Sequence, residues 1–239
     1  MNIRPYIVLN DVSSLTIQGL IISSLPPITK PKIRTTIEEI DGRDGDIVTT
    51  LGYGAYTKTV EIGLSYNYNI DDIIQYFNSS GKVVFSNEPE KYYNYAIYDQ
   101  INFEKLIRFK TASVNFHVQP FKYSDVDKEK TFNFTTVDPK SLQIRNEGNI
   151  YSKPKITVTG SGTVNLYLNG NQIFVLNLSS TRTIILDIAA MNAYGTDGTL
   201  KNRLVTGDYE DFVLLSGENT ISFTGSLSQI LIDNYSRWI

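Results

Sequence analysis

One short segment constrains the fold more than any other, because residues 69–81 carry the only convincing helical pattern in 239 residues. Its apolar side chains recur at the spacing i, i+3, i+4 and i+7, which places them on one face of two helical turns; they are Ile70, Ile73, Ile74 and Phe77. Asn69 can cap the start of the helix, and Gly81 can end it in a left-handed conformation. Elsewhere the patterns are typical of strands, so we predict a mainly β protein whose helix covers a sheet.

Two adjacent carboxylates in this helix, Asp71 and Asp72, raise the possibility of a general acid/base pair. Neighbouring residues on a helix point in different directions, and negative charge in the first turn is favoured by the helix dipole. We therefore interpret both as dipole-compensating.

The composition argues against an enzyme. The chain has no cysteine and a single histidine, His117, which excludes thiol chemistry, cysteine-based zinc sites and two-histidine metal sites. No serine-nucleophile motif accompanies His117, and the alternating pattern of residues 114–119 places it on the outer face of a strand. We predict no catalytic residue, no metal site and no cofactor. No apolar run approaches the ~18 residues of a membrane span, so we expect no membrane segment.

The first part of the chain also contains an extended arm. We predict strands at residues 6–9, 20–25, 33–40 and 57–64, and the arm (residues 42–56) lies between the last two. A reversal with two glycines begins it, and three large side chains among glycines follow with few local partners to bury them. The candidate interface residues are Gly42, Arg43, Asp44, Gly45, Leu51, Tyr53 and Tyr56.

Two ligand sites compete with this interpretation. Asp41, Asp44 and Asp46 resemble a calcium loop, but their spacing is not that of an EF-hand and turn chemistry explains them. A group of tyrosines could form a stacking platform for sugars or bases, although packing or a protein interface is the simpler use; the group is Tyr92, Tyr93, Tyr95 and Tyr98.

The strand spacing changes near residue 127, so we predict one domain at 1–127 and a second at 128–239. Further strands are expected at 82–86, 92–98 and 106–118, the last ended by Pro120. Short glycine-punctuated strands follow and indicate a sandwich or jelly roll; they are 155–160, 163–168, 172–178, 183–188, 212–215, 220–224 and 228–234. The first domain holds 12 basic and 15 acidic residues, whereas the second holds 10 of each. This balance does not favour a nucleic-acid grip.

Several ordered stretches together resemble the distal tail protein of long-tailed, non-contractile bacteriophages. In the first domain they are Gly-Arg-Asp-Gly at 42–45, the helix followed by Gly-Lys-Val-Val-Phe-Ser-Asn-Glu-Pro at 81–89, Tyr-Tyr-Asn-Tyr-Ala at 92–96 and Val-Asn-Phe-His-Val-Gln-Pro-Phe-Lys-Tyr at 114–123. In the second they are Asn-Glu-Gly-Asn at 146–149, Lys-Pro-Lys-Ile at 153–156, Leu-Tyr-Leu-Asn-Gly at 166–170, Ile-Leu-Asp at 185–187, Leu-Ser-Gly-Glu-Asn at 215–219 and the terminal Arg237 and Trp238.

The resemblance implies an N-terminal β-sandwich or split-barrel-like ring domain with one helix, and a C-terminal galectin-like β-sandwich. It implies a structural virion protein that forms a hexameric ring at the phage tail tip, assembled in the host bacterial cytoplasm. Its partners would be the major tail tube protein, the tape-measure protein, the tail-tip hub (tail-associated) protein and receptor-binding proteins. DNA would pass through the ring without specific binding, and an acidic first domain fits a lumen that repels phosphate.

A carbohydrate-binding module that contributes to host cell-wall recognition is the alternative. Sugar sites usually combine an aromatic platform with convergent polar side chains. The sole tryptophan, Trp238, lies next to the C-terminus, which favours packing or docking over sugar binding.

Overall fold

The chain divides into two compact units. The computed structural model describes residues 4–125, 129–135, 140–233 and 235–239. The first unit extends to Lys122 and includes Ile239, and the second extends from Tyr123 to Trp238. Each unit has its own cluster of buried apolar side chains. The predicted boundary between residues 127 and 128 lies outside the described residues.

The first unit is built on a seven-stranded sheet. The strands described in it are β1 (Ile7–Leu9), β2 (Val12–Ser13), β3 (Leu20–Ser24), β4 (Ile33–Glu39), β5 (Asp46–Tyr53), β6 (Tyr56–Leu64), β7 (Ser80–Phe85), β8 (Tyr92–Ala96) and β9 (Thr111–Tyr123). The order in the large sheet is β2-β1-β7-β8-β9-β6-β3, whereas β4 and β5 pair only with each other. Phe116 of β9 lies at the centre of the core, with ring centroids of Tyr95, Phe85 and Phe77 at 5.3, 5.8 and 6.5 Å.

The predicted helix is present as α1 (Ile70–Phe77). The Asn69 side chain accepts a hydrogen bond from the Asp71 backbone N–H at 3.1 Å, which confirms the predicted cap. The buried face is shifted from the predicted stripe: it contains Ile73, Tyr76 and Phe77. Ile74 is 39% exposed. Tyr76 takes its place because its hydroxyl reaches into the sheet and donates to the backbone oxygen of Ile7 at 3.1 Å.

The predicted end of this helix is wrong. The helix stops at Phe77, and Gly81 lies within β7 with a φ of +136°. A Cβ on Gly81 would approach the Asn10 side-chain oxygen to 2.1 Å, so the glycine there provides a close approach to the β1–β2 turn.

A second helix, α2 (Phe103–Phe109), replaces the start of the strand predicted at 106–118. Asn102 caps this helix by accepting a hydrogen bond from the Lys105 N–H at 2.7 Å. Leu106, within the helix, is buried in the first core. The strand continues through Pro120 instead of ending there. Pairing with β6 stops at Val118, so the missing N–H of Pro120 interrupts no pairing between these strands.

The second unit is a β-sandwich. Its described strands are β10 (Glu129–Asn133), β11 (Ser141–Asn146), β12 (Lys155–Leu168), β13 (Asn171–Asn177), β14 (Thr183–Asp187), β15 (Asn192–Tyr194), β16 (Val205–Gly207) and β17 (Gly217–Asp233). The first half of β12 pairs with β14 and with the end of β17, which also pairs with β10. The second half of β12 pairs with β13 and with the start of β17, which also pairs with β11. Two bent strands thus run through both layers.

Four of the predicted strands are therefore halves of two longer strands. The pair predicted at 155–160 and 163–168 is β12, and the pair predicted at 220–224 and 228–234 is β17; residue 234 lies outside the described part. The glycines between them mark corners, because a Cβ on Gly160 would lie 2.3 Å from the Ser226 oxygen and one on Gly225 would lie 2.4 Å from the Thr163 oxygen. The predicted strand at 212–215 is wrong: only Leu214 forms an isolated bridge, with Ser152. The mainly β, sandwich-like fold class is confirmed. No helix in the described ranges is long and apolar enough to cross a membrane.

Candidate assembly interface

The predicted arm forms the turn and the second strand, β5, of a β-hairpin whose first strand is β4. β4 and β5 form a separate antiparallel sheet, and we call residues 33–53 the hairpin. Ile37 pairs with Val48 and Glu39 with Asp46, and a bulge lies between Arg34 and Thr35. Paired side chains share a face, so Ile37 and Val48 project together.

The turn of the hairpin contains the four residues Gly42, Arg43, Asp44 and Gly45, all of them exposed. Gly42 and Gly45 have φ values of +80° and +78°, the left-handed region that favours glycine. The Arg43 N–H donates to the Ile40 oxygen at 3.1 Å and closes the turn.

Large apolar side chains project from the hairpin into solvent. Those more than two-fifths exposed are Ile37, Ile40, Val48 and Leu51, at 58%, 47%, 59% and 55%. A two-stranded hairpin is marginally stable by itself, and exposed apolar groups gathered on one element mark contact surfaces. The hairpin therefore has the character of an interface element.

The tip of the hairpin carries most of the chain's charge asymmetry. Residues 38–46 hold five acidic residues and one arginine, a net charge of −4. The rest of residues 1–127 then holds 11 basic and 10 acidic residues. The acidic character expected of the whole first domain is thus confined to the hairpin tip.

Three hydrogen bonds hold the root of the hairpin and the loop that precedes it. The Gly54 N–H donates to the Lys32 oxygen at 2.8 Å. The preceding loop is held through Pro26, whose oxygen accepts from Asn87 Nδ2 at 3.0 Å, and through Pro27, whose oxygen accepts from Lys58 Nζ at 2.9 Å. These contacts fix the base from which the exposed strands project.

Two predicted interface residues have partners in their own unit. The Tyr53 ring contacts Phe121 edge to face at 5.4 Å, and the half-buried Tyr56 packs on the first core. The expectation that both have too few partners to bury them is therefore wrong, because β9 supplies partners that are distant in sequence. Leu51 remains exposed.

A buried charged cluster lies below the root. Glu88 accepts from Lys122 Nζ at 2.7 Å and from the Tyr93 hydroxyl at 2.9 Å. Lys58 Nζ lies 5.0 Å from the centroid of the Tyr93 ring, and Lys58 and Lys122 are 3% and 6% exposed. Burial lowers the pKa of Lys58; the Glu88 carboxylate opposes this shift and the Lys122 charge adds to it. Burial likewise raises the pKa of the Tyr93 hydroxyl.

Sequence reasoning missed this cluster, although a signal was present. Lys58 is in the core-facing register of β6, two residues before the buried Val60. Lys122 has the same parity as Phe116 and Val118 in β9. A lysine in an inward position of a strand indicates a buried ion pair or a cation over an aromatic ring.

The other candidate sites have weaker geometry. His117 lies on the outer side of β9, its ring 5.4 Å from that of Tyr98, beside a small cavity of about 70 Å³ that Asp99 and Asn115 also line. Within the described ranges no three histidine, cysteine or acidic side chains are grouped as metal ligands would be. Three of the four tyrosines proposed as a platform are buried packing residues, namely Tyr92, Tyr93 and Tyr95.

The second unit contains an open cavity of about 580 Å³ at the sandwich corner. Phe134, Lys140 and Arg182 line it together with serine and threonine side chains. Trp238 is not among the lining residues and is partly buried.

No protein-family model matches the chain, and no curated protein matches its sequence. Solved structures do match its fold. The SPP1 Dit protein, described as a paradigm of the hub adsorption apparatus of phages that infect Gram-positive bacteria, has a TM-score of 0.63 and 15% identity; the match covers 96% of this chain and 98% of that one. A chain of the phage P2 baseplate in its activated, calcium-bound conformation has a TM-score of 0.52 and 9% identity, covering 97% of each chain. The resemblance to distal tail proteins is confirmed at the level of the fold.

Proposed function

We propose that the chain is a non-enzymatic structural protein of a bacteriophage tail tip, and that six copies form a ring at the distal end of the tail. The observation that carries this proposal is the fold match to SPP1 Dit, which extends over 96% of the chain and so includes both units. A local motif could recur in unrelated proteins, but a match through two different β units is far more specific.

The hairpin supplies the means of assembly. Its exposed Ile37, Val48 and Leu51 have no cover in the described part of the chain, and its root is held on the sheet. A surface of this kind that contacts a different surface of the next copy makes a heterologous interface, which closes into a ring when the rotation permits. The first unit is thus the ring-forming domain.

The ring would join the major tail tube protein to the tail-tip hub (tail-associated) protein or baseplate. The tape-measure protein and DNA would occupy its channel, and DNA would pass without specific binding. The second unit, as a galectin-like sandwich, would offer a surface on which receptor-binding proteins dock. The protein would reach the virion after assembly in the host cytoplasm.

Carbohydrate binding is the second candidate function, and the corner cavity of the second unit is the observation that favours it. Phe134 offers an aromatic face there, beside the basic Lys140 and Arg182. A glycan array tests this directly: specific binding that is lost in Phe134→Ala would support a sugar site, whereas an array without binding leaves the ring as the function.

Truncation of the hairpin tests the ring. Residues 36–49 are replaced by an Asn-Gly turn, which suits a two-residue connection between the paired Thr35 and Thr50. Light scattering should give the parent a mass about six times the 27.0 kDa of one chain, and the truncated variant the mass of a single chain with both thermal transitions retained.

Leu215→Ser is the matched control, because Leu215 is 58% exposed in the second unit, as Ile37 is in the hairpin. This variant should keep the parental mass. A parent that stays a single chain at every concentration would contradict the ring, and a truncated variant that still assembles would contradict the role of the hairpin.

A further inference from the structure

We propose that the hairpin tip of one copy docks on the exposed face of α2 of the next copy. This inference rests on the proposed ring and identifies the receiving surface. It concerns two surfaces of the first unit, the acidic hairpin tip and the exposed face of residues 103–110, and neither surface is packed in the core.

The α2 surface is apolar and basic. Leu106 is buried and fixes the helix to the unit, which leaves Ile107 and Phe109 outward at 40% and 64% exposure. The basic side chains around them are Lys105, Arg108 and Lys110. A helix with an exposed phenylalanine among cations is unusual on a surface that contacts only water.

Among the residues that the structure describes, no acidic side chain forms an ion pair with the basic groups of this surface. Arg108 lies 5.7 Å from the Phe109 ring and the Lys110 ammonium 4.7 Å from the Tyr68 ring. In the described ranges, the ion pairs that are present involve other lysines and arginines. One acidic residue, Glu104, accompanies the three cations, so residues 103–110 carry a net charge of +2.

The hairpin tip complements this surface in both charge and apolar content. Its net charge of −4 is located around the exposed Ile37, Ile40 and Val48. Apolar side chains surrounded by opposite charges are typical of interfaces, in which the apolar centre contributes affinity and the charged rim fixes the orientation.

The occupant of α2 is a second copy and not the chain's own hairpin. Ile37, Val48, Ile107 and Phe109 are all exposed within one chain, so the two surfaces do not cover each other there. The seven residues of β4 span about 24 Å, which carries the tip well away from its root. A tip that reaches outward and a receiver elsewhere on the unit generate a repeating head-to-tail contact.

Disulfide trapping tests the contact, because the chain has no native cysteine. A variant with Ile37→Cys and Phe109→Cys is mildly oxidised under conditions where the parent assembles. Non-reducing electrophoresis should show a ladder of covalent oligomers that ends at the ring. The control pair Ile37→Cys and Leu200→Cys, with Leu200 63% exposed in the second unit, should give no ladder.

Charge reversal provides an independent measurement. Glu38→Lys with Glu39→Lys should raise the protein concentration required for assembly at least tenfold. Lys105→Glu with Arg108→Glu should have the same effect. All four substitutions together should assemble better than either pair alone, because the reversed charges at 38 and 39 then face reversed charges at 105 and 108. The recovery should be partial, since the remaining aspartates leave the tip with a net charge of zero. Added salt should weaken the parental assembly, since exposed charges are screened at about 0.1 M.

The outcomes separate the inference from the ring. If the parent assembles but neither the ladder nor the rescue is observed, the α2 contact is wrong and the ring stands. If the parent remains a single chain, both are wrong. A ladder in the control pair would show that the trapping is non-specific. If the fourfold variant then also failed to recover assembly, the inference would be overturned.

Discussion

Replacing Glu88 with Gln should destabilise the first unit by about 3–5 kcal/mol, the usual effect of removing one partner of a buried ion pair. The Lys122 and Glu88 side chains are 8% and 11% exposed, and their charged atoms are 2.7 Å apart. Glutamine keeps the shape and can still accept from the Tyr93 hydroxyl. It carries no charge, however, so Lys58 and Lys122 would remain buried without a counterion.

A second substitution distinguishes lost charge compensation from lost packing. Lys122→Met removes the buried charge and preserves most of the apolar stem, so the variant with both Glu88→Gln and Lys122→Met should recover about half or more of the lost stability. If the loss were a packing defect at Glu88, the second substitution would add to it.

Calorimetry of the full chain measures the change as a shift of the first unit's transition, which should be on the order of 10 °C for Glu88→Gln. Hydrogen exchange localises it: the Gly54 N–H, bonded to the Lys32 oxygen at the hairpin root, should exchange faster. A loss below about 1 kcal/mol, as for an exposed pair, would refute the argument that this cluster is buried and supports the root.

The remaining predictions concern the two cores. Phe77→Ala should cost the first unit about 3–5 kcal/mol in urea denaturation, whereas the exposed Ile74→Ala should cost less than about 1 kcal/mol. Burial raises the pKa of groups such as Tyr93, so above a pH of about 10 the unfolded chain releases protons that the folded chain retains. The first unit should therefore lose up to about 1.4 kcal/mol of stability per pH unit for each buried tyrosine. Tyr93→Phe should reduce this slope in melts at pH 9 to 11, and an unchanged slope would contradict the burial of the Tyr93 hydroxyl. Gly225→Ala, which places a Cβ 2.4 Å from a backbone oxygen of β12 at a φ of +100°, should lower the second unit's melting temperature alone; a loss in both transitions would show that the units do not melt separately.

The sequence predicts α1 because a cap and an apolar stripe agree over two turns. It does not predict α2, which has seven residues and a pattern, Phe-Glu-Lys-Leu-Ile-Arg-Phe, rich in aromatic and branched residues that also suit a strand. The bent strands β12 and β17 show a related ambiguity. A glycine in a strand pattern can signal a turn or a corner, and only the approach of the partner strand decides between them.

The candidate interface was predicted only in part, because some of its features depend on local sequence and others on contacts between distant residues. Exposure of Leu51 follows from its local sequence, in which glycine and threonine surround it. The partial burial of Tyr53 depends on Phe121, and the charged cluster depends on pairing Glu88 with Lys122. These contacts join residues far apart in the chain, so periodicity alone cannot supply them.

The measurement that tests the central claim most directly is negative-stain imaging of the purified protein. The account predicts closed rings with a central channel, six copies in each, that are lost when residues 36–49 are replaced by the short turn. Fields of single particles of one chain, or open filaments without closure, at concentrations where the protein is folded would contradict it.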